Sequence, residues 1–176
     1  RKNRLTVIAV LQGTSEPTYL LNDKTTYWLD IFAIPQWVRQ HMGQWPQAVL
    51  LTGETMAQLV QRDLATRLNE QQQARVLEAA ALTAYYSQTS VPIVPILVSD
   101  DAPQFRHITE EQALCWIHEG RHYKKLTPFV DYHRQLLDDF LTRFWEYYHK
   151  LQQYRADPSL AQAAKLGSEF DMLFNT

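Results

Sequence analysis

Residues 91–101 read Val91-Pro92-Ile93-Val94-Pro95-Ile96-Leu97-Val98-Ser99-Asp100-Asp101, and this stretch decides the predicted fold. Its apolar residues run almost without a break, which is typical of a strand buried on both faces of a sheet. Ligands of open α/β sheets bind at the carboxyl ends of the strands, so Asp100 and Asp101 are predicted to face a site. Alternatively, these acids only cap the helix or turn that begins at Ala102-Pro103.

The composition is that of a folded protein without a general attraction to nucleic acid. The 176 residues suit one domain, or one domain with an extension, and 45% of them are hydrophobic. The net charge of −2 means that a DNA contact would need a local basic patch. A single cysteine, Cys115, excludes an internal disulfide and favours a reducing, cytoplasmic compartment. No apolar run reaches membrane-spanning length, and no signal peptide is visible, so no membrane partner is expected.

The first half is predicted to hold a hairpin followed by helices. The β-branched segment Leu5–Leu11 is strand-like, and Thr18–Leu21 is predicted to return as the second strand. Pro35 interrupts a helical pattern and is expected in the first turn of a second short helix. The predicted helical segments are Thr25–His41, Gly53–Glu70 and Gln71–Ser87.

The region after Asp101 is predicted to return to the sheet. Residues 109–112 match a capping box, which predicts one helical turn. Ala113–Ile117 suits either a helix or a short buried strand, and the interruption at Glu119-Gly120 favours the strand. Parallel strands would then end at Asp100 and His118, about 4.8 Å apart, so that both side chains line one crevice.

The last third is predicted to be a long antiparallel helical hairpin. Thr127-Pro128 is a helix start, and aromatic and aliphatic residues recur at helical spacing to about Arg155. Asp157-Pro158 restarts a second helix. We therefore expect residues 1–126 to form an α/β domain and residues 127–176 to form the hairpin.

Three polar features are candidates for chemistry. They are the acidic strand end, the Cys115-Trp116-Ile117-His118 motif, and the basic residues Arg121, Lys124 and Lys125. One Cys and one His do not complete a zinc site, and a lone His at a strand end is often structural. The basic residues can also simply complement a helix C-terminus. Together, however, the three features suit phosphodiester chemistry, in which carboxylates hold divalent metal and cations contact phosphates.

These residues resemble a known family. The segments Leu97–Phe105 and Leu114–Leu126 resemble bacterial insertion-sequence transposases, with the strongest likeness to insertion-sequence family sixty-six. The C-x-x-H motif is also similar to that of the hAT and Mutator superfamilies. The resemblance extends more loosely through Tyr147–Phe174, whereas the first half agrees in element order only.

The resemblance implies a ribonuclease-H-like DDE core, here an incomplete mixed sheet with flanking helices, followed by the hairpin as the start of a helical insertion. It implies that Asp100 is the second catalytic acid, with Asp101 as a substitute metal ligand, and that His118 lies beside the active centre. Two Mg²⁺ or Mn²⁺ ions would serve as cofactors. Arg121, Lys124 and Lys125 would contact DNA.

The family's first Asp and last Glu would lie outside this chain, before Arg1 and after Thr176. The expected function is therefore Mg²⁺-dependent DNA strand cleavage and transfer by a homo-oligomeric bacterial enzyme, of which this chain alone is inactive. Two alternatives remain. One is a non-catalytic helical module for interaction or oligomerisation, and the other is a ribonuclease-H-like nuclease without transposition.

Overall fold

A computed structural model describes residues 3–175, which contain eight α-helices and one pair of parallel strands. The helices are α1 (Arg4–Leu11), α2 (Asp23–Ile31), α3 (Gln36–Met42), α4 (Gly53–Asp63), α5 (Glu70–Ser87), α6 (Trp116–Tyr123), α7 (Asp131–Ala156) and α8 (Leu160–Phe174). The strands are β1 (Ile96–Ser99) and β2 (Glu111–Leu114), with a 3₁₀ turn at Pro103–Phe105 between them. The mixed α/β class is confirmed, with helices dominant. No helix in the described part of the chain is long and apolar enough to cross a membrane.

The chain divides into two units, the first ending at Ala113 and the second beginning at Leu114. The sequence had placed the boundary after Leu126. Helix α6 therefore groups with α7 and α8. Trp116 of α6 packs against rings of both helices.

Helix α5 forms the centre of the first unit. It begins with a capping box, in which the Asn69 side chain accepts from the Gln72 backbone N–H and the Gln72 side chain accepts from that of Asn69. Val76 and residues 79–82 are completely buried, and α1 and α2 pack against α5. The predicted helix over 71–87 is confirmed. The preceding helix ends earlier than predicted, at Asp63.

The predicted interruption at Pro35 is also confirmed. Helix α2 ends at Ile31, and Pro35 occupies the N-cap position of α3, one residue before its first turn. Proline lacks a backbone N–H and has its φ fixed, so it is tolerated at a helix start and not in a helix interior.

The predicted strand Leu5–Leu11 is wrong, because these residues form α1. The Asn3 side chain caps the helix by accepting from the Thr6 backbone N–H, and Ile8 is completely buried. Arg4 forms a buried ion pair with Glu78 of α5 at 2.6 Å. Packing against α5 thus overrides the β preference of the local sequence. The returning strand is likewise absent, since Tyr19 makes only an isolated antiparallel bridge with Leu51.

The sheet is smaller and more exposed than predicted. Strand β1 covers only Ile96–Ser99, and Ile96 and Val98 are 50% and 68% exposed, so the prediction of a strand buried on both faces is wrong. Strand β2 starts at Glu111, where the sequence predicted a helical turn. The Thr109 hydroxyl donates to the Glu111 carbonyl at 2.7 Å and caps no helix.

The helical hairpin is confirmed in the second unit. Helix α8 begins after Ser159, whose side chain accepts from the Gln162 backbone N–H. The core between the helices contains Phe144, Tyr147, Leu166 and Leu173. Helix α7 starts at Asp131, later than predicted, because Arg134 donates to the Pro128 carbonyl and holds the preceding residues outside the helix.

The buried ion pair yields a stability prediction. We expect Glu78→Ala to lower the free energy of unfolding by about 3 kcal/mol, because it leaves the Arg4 guanidinium buried without its counter-charge. Urea denaturation followed by circular dichroism measures the change. The control is Glu54→Ala, at an exposed position in the first turn of α4, which should cost at most about 1 kcal/mol. Equal effects of the two substitutions would contradict the importance of the pair.

Candidate functional site

Asp100 lies directly after β1, at the carboxyl end of the strand, and is partly buried. One of its carboxylate oxygens accepts from the Ala102 backbone N–H at 3.2 Å. This contact closes the turn at Ala102 and occupies one oxygen, whereas the 3₁₀ helix at Pro103–Phe105 has no side-chain cap. The part of the chain that the structure describes contains no salt bridge to this carboxylate.

The backbone around Asp100 is braced from the neighbouring strand. The Gln112 side-chain amide of β2 donates to the Ser99 hydroxyl at 2.9 Å and to the Asp100 carbonyl at 3.5 Å. The Ser99 hydroxyl in turn donates to the Asp100 carbonyl at 2.9 Å. This link fixes where β1 ends. Gln112 is not among the site residues predicted from the sequence, because residues 109–112 match a capping box.

Asp101 has a different environment from its neighbour. Both of its carboxylate oxygens accept from Arg106 Nη2 at 2.9 Å, and both side chains are more than half exposed. An exposed ion pair of this kind contributes little to stability. It nevertheless engages both oxygens of Asp101, whereas one oxygen of Asp100 is engaged, so the two acids are not equivalent as metal ligands.

The loop that carries both acids is tied to the core by Arg4. The second guanidinium nitrogen of Arg4 donates to the Pro103 carbonyl at 2.6 Å, while the first pairs with Glu78. Arg4 is only 3% exposed. The sequence offered no signal for this role, because the contact joins residues 99 positions apart.

His118 lies in the first helical turn of α6 and is exposed. The prediction of a strand that ends at His118 is therefore wrong, and the crevice argued from two parallel strand ends loses its basis. Cys115 precedes the helix as its N-cap residue. Hydrogen bonding with the His118 side chain lowers the pKa of the Cys115 thiol.

The aromatic residue of the motif is a packing residue. The Trp116 ring stacks on Phe144 of α7 with ring centroids 4.3 Å apart and planes inclined by 18°. Gly120 faces the same helix, and a Cβ atom placed there would lie 2.5 Å from the Trp145 ring. From the sequence, Gly120 is predicted only to interrupt the apolar run. Because Gly120 has no side chain, α6 can approach α7 closely at this position.

The basic residues Arg121, Lys124 and Lys125 are exposed at the C-terminal end of α6. Arg121 lies in the last turn of α6, Lys124 is its C-cap residue and Lys125 follows directly. The Nζ atom of Lys124 lies 5.2 Å from the centroid of the Trp145 ring, in a cation–π contact. None of the three has an acidic partner within 4 Å among residues 3–175.

The metal-ligating groups of the described residues are dispersed. No cluster of three or more His, Cys, Asp or Glu side chains occurs among residues 3–175. Asp100 offers a carboxylate of the kind that Mg²⁺ or Mn²⁺ prefers, and Asp101 would do so only by releasing Arg106. The two-ion site implied by the resemblance thus stays a prediction, with Asp100 as its ligand from this chain.

Comparisons with protein-family models, with curated proteins and with solved structures find no match to this chain. Function is therefore inferred from the chemistry of the residues and from the sequence resemblance.

The glycine in α6 yields a second stability prediction. We expect Gly120→Ala to lower the free energy of unfolding by about 1–3 kcal/mol, because the added methyl group collides with the rings of Phe144 and Trp145. Gly167→Ala is the matched control, since it lies within α8 with no atom within 4 Å of the new Cβ. This control should raise stability by up to about 1 kcal/mol through helix propensity. Thermal denaturation measures the stability change of both variants. Changes of the same sign would refute the close packing of α6 against α7.

Proposed function

We propose that this chain forms part of the catalytic core of a DDE transposase, with Asp100 as the second of its three metal-binding acids. The supporting observation is that Asp100 follows a strand of a parallel pair and lacks a salt bridge among the described residues, whereas Asp101 is paired with Arg106. A carboxylate at the carboxyl end of such a strand is in the usual position for a ligand site.

The exposed apolar residues of the strand pair support a larger sheet around it. Ile96 and Val98 alternate along β1 and so share one face, and both are at least half exposed. Parallel sheets are normally covered on both faces, and a sheet of only two strands is marginally stable. A ribonuclease-H-like sheet with further strands and helices would bury these side chains. We propose that the strand pair belongs to a ribonuclease-H-like sheet of this kind.

Each candidate residue of this chain has a role in the proposal. Bound Mg²⁺ or Mn²⁺ ions would activate water or a DNA 3′-hydroxyl and stabilise the leaving oxygen. Asp100 would hold metal through its carboxylate, and the bracing by Gln112 and Ser99 would keep this ligand in place. His118 lies in the second unit, and its role stays what the resemblance implies. Arg121, Lys124 and Lys125 would contact phosphates of transposon-end or target DNA.

The remaining features of the proposal come from the resemblance. The complete enzyme would be a polynucleotidyl transferase that acts as a homo-oligomer on DNA in the bacterial cytoplasm. Its other two acids would come from outside this sequence, so the 176-residue chain should bind Mg²⁺ poorly. Mg²⁺ keeps most of its waters unless several carboxylates or substrate phosphates converge on it.

An exposed apolar segment supports one alternative, a helical interaction module. Phe129 is 96% exposed just before α7, and Tyr132 and Leu136 in the first turns of α7 are 63% and 47% exposed. Contiguous apolar surface often marks a protein interface. Unlike the main proposal, this alternative assigns no function to Asp100.

Substitution of each acid tests the main proposal. In the chain extended by the flanking sequences that carry the other two acids, we expect Asp100→Asn to abolish Mg²⁺-dependent nicking of supercoiled DNA. The substitution keeps the shape of the side chain and removes the charge that holds the metal. Asp101→Asn is the matched control, and it should retain most activity because Asp101 is already paired with Arg106.

Circular dichroism of both variants checks that neither unfolds. Full nicking activity of Asp100→Asn, or equal loss in the two variants, would contradict the assignment of Asp100. The helical interaction module would then be the better interpretation.

A second test concerns DNA. We expect weak, sequence-independent binding by the 176-residue chain that weakens steeply with salt. Changing Arg121, Lys124 and Lys125 to Ala should flatten the slope of log affinity against log salt by up to about 2.7, since each phosphate contact contributes about 0.9. Fluorescence anisotropy with a labelled duplex measures the slope.

The matched control removes the same charge elsewhere in the second unit. Arg143, Arg155 and Lys165 are also exposed, and changing all three to Ala should leave the slope closer to that of the unsubstituted chain. Equal slopes for the two triple variants would show that only total charge matters and that the α6 residues form no DNA site.

A further inference from the structure

A cavity of about 420 Å³ in the first unit takes no part in the proposed metal site. Its lining combines aromatic rings with an imidazole and two charged side chains. The lining residues used in the argument are Lys24, Tyr27, Trp28, Tyr86, His107 and Glu110. Its volume lies within the range of small-molecule sites in proteins. The inference below does not depend on the role of Asp100.

Two of the rings form a fixed wall. Trp28 and Tyr86 stack with centroids 5.4 Å apart and planes inclined by 26°. The Tyr86 hydroxyl donates to the Ile108 carbonyl at 2.8 Å, which holds the ring in place. Burial raises the pKa of Tyr86 to about 12, so this hydroxyl remains protonated and keeps its hydrogen bond at neutral pH.

The third ring is available at the surface. Tyr27 is 61% exposed and meets the Trp28 ring edge-on, with centroids 5.0 Å apart. Lys24, Tyr27, Trp28 and Ile31 follow the i, i+3, i+4, i+7 spacing of a single face of α2. One helix face thus supplies both aromatic surface and a cation to the cavity.

The charged residues suit a polar ligand with an anionic group. Lys24 and Glu110 are exposed, and the described chain has no ion-pair partner within 4 Å of either. Burial, together with the charges of Arg4, Arg75 and Arg106, lowers the pKa of His107, which favours a neutral imidazole able to donate and accept. A carboxylate accepts hydrogen bonds only, so Glu110 would select a ligand with N–H donors.

We propose that this cavity binds a nucleotide unit whose base carries an exocyclic amino group. The base would stack on the aromatic surface, Glu110 would accept from the amino group, and Lys24 would contact the phosphate. An alkylammonium ligand would also suit a carboxylate beside aromatic rings, but Lys24 in the same lining would repel it. The nucleotide is either free or part of a single-stranded nucleic acid, since both present the same chemistry.

Isothermal titration calorimetry with AMP, CMP and TMP tests the proposal on the 176-residue chain. We expect AMP and CMP to bind, and TMP, whose base lacks an exocyclic amine, to bind about tenfold more weakly. Tyr27→Ala should weaken CMP binding by about fivefold or more through lost stacking. Tyr132→Ala is the matched control, because Tyr132 is 63% exposed on a helix outside the cavity, and it should leave binding unchanged.

Two further variants separate the polar contacts. Glu110→Ala should remove the preference for CMP over TMP, and Lys24→Ala should weaken AMP binding without weakening adenosine binding. A short dC oligomer that binds more tightly than CMP would identify single-stranded nucleic acid as the ligand, whereas equal affinities would identify the free nucleotide. Absence of binding by all of these probes, or equal effects of Tyr27→Ala and Tyr132→Ala, would overturn the proposal.

Discussion

The buried guanidinium of Arg4 is the group on which the arrangement of the first unit depends. It pairs with Glu78 of α5 at 2.6 Å, and Glu78 also pairs with Arg75 at 2.6 Å. The same guanidinium donates to the Pro103 carbonyl in the loop that follows Asp100. Because an unpaired buried charge is strongly unfavourable, α1, α5 and this loop are held together as a set. The position of the candidate acid is therefore determined by a residue nearly a hundred positions away.

The helices that the sequence predicted well are those whose signals are local. The helices α5 and α8 were expected from apolar residues at helical spacing, and caps at Asn69 and Ser159 start them in the structure. The capping box expected at residues 109–112 is an equally local signal, but it starts no helix. The strand predicted at Leu5–Leu11 follows from its β-branched residues, whereas the α1 that forms there is capped locally by Asn3 and held by distant contacts with α5, among them the Arg4–Glu78 pair. Local patterns cannot report a stabilising contact of that range.

The candidate site could be predicted only in part, because some of its contacts join residues that are distant in the sequence. That acids follow β1 was visible from the apolar run, but Asp100 and Asp101 are indistinguishable by sequence position alone. In the structure Arg106 pairs with Asp101, whereas Asp100 is partly buried, accepts from the Ala102 N–H and has its backbone braced by Gln112. The strand expected to end at His118 stops at Leu114 and gives way to α6, which packs on α7 through Trp116 and Gly120.

The polar bridges around Asp100 explain how a sheet of only two strands can still present an ordered acid. Two parallel strands with Ile96 and Val98 exposed gain little from apolar burial, so the hydrophobic effect alone would not fix the end of β1. Hydrogen bonds from Gln112 to Ser99 and from Arg4 to Pro103 fix it instead, one on each side of Asp100. Additional strands or helices would bury the exposed face without breaking either bridge. The acid is thus positioned independently of the cover over β1, which is what the proposed role as a metal ligand would require.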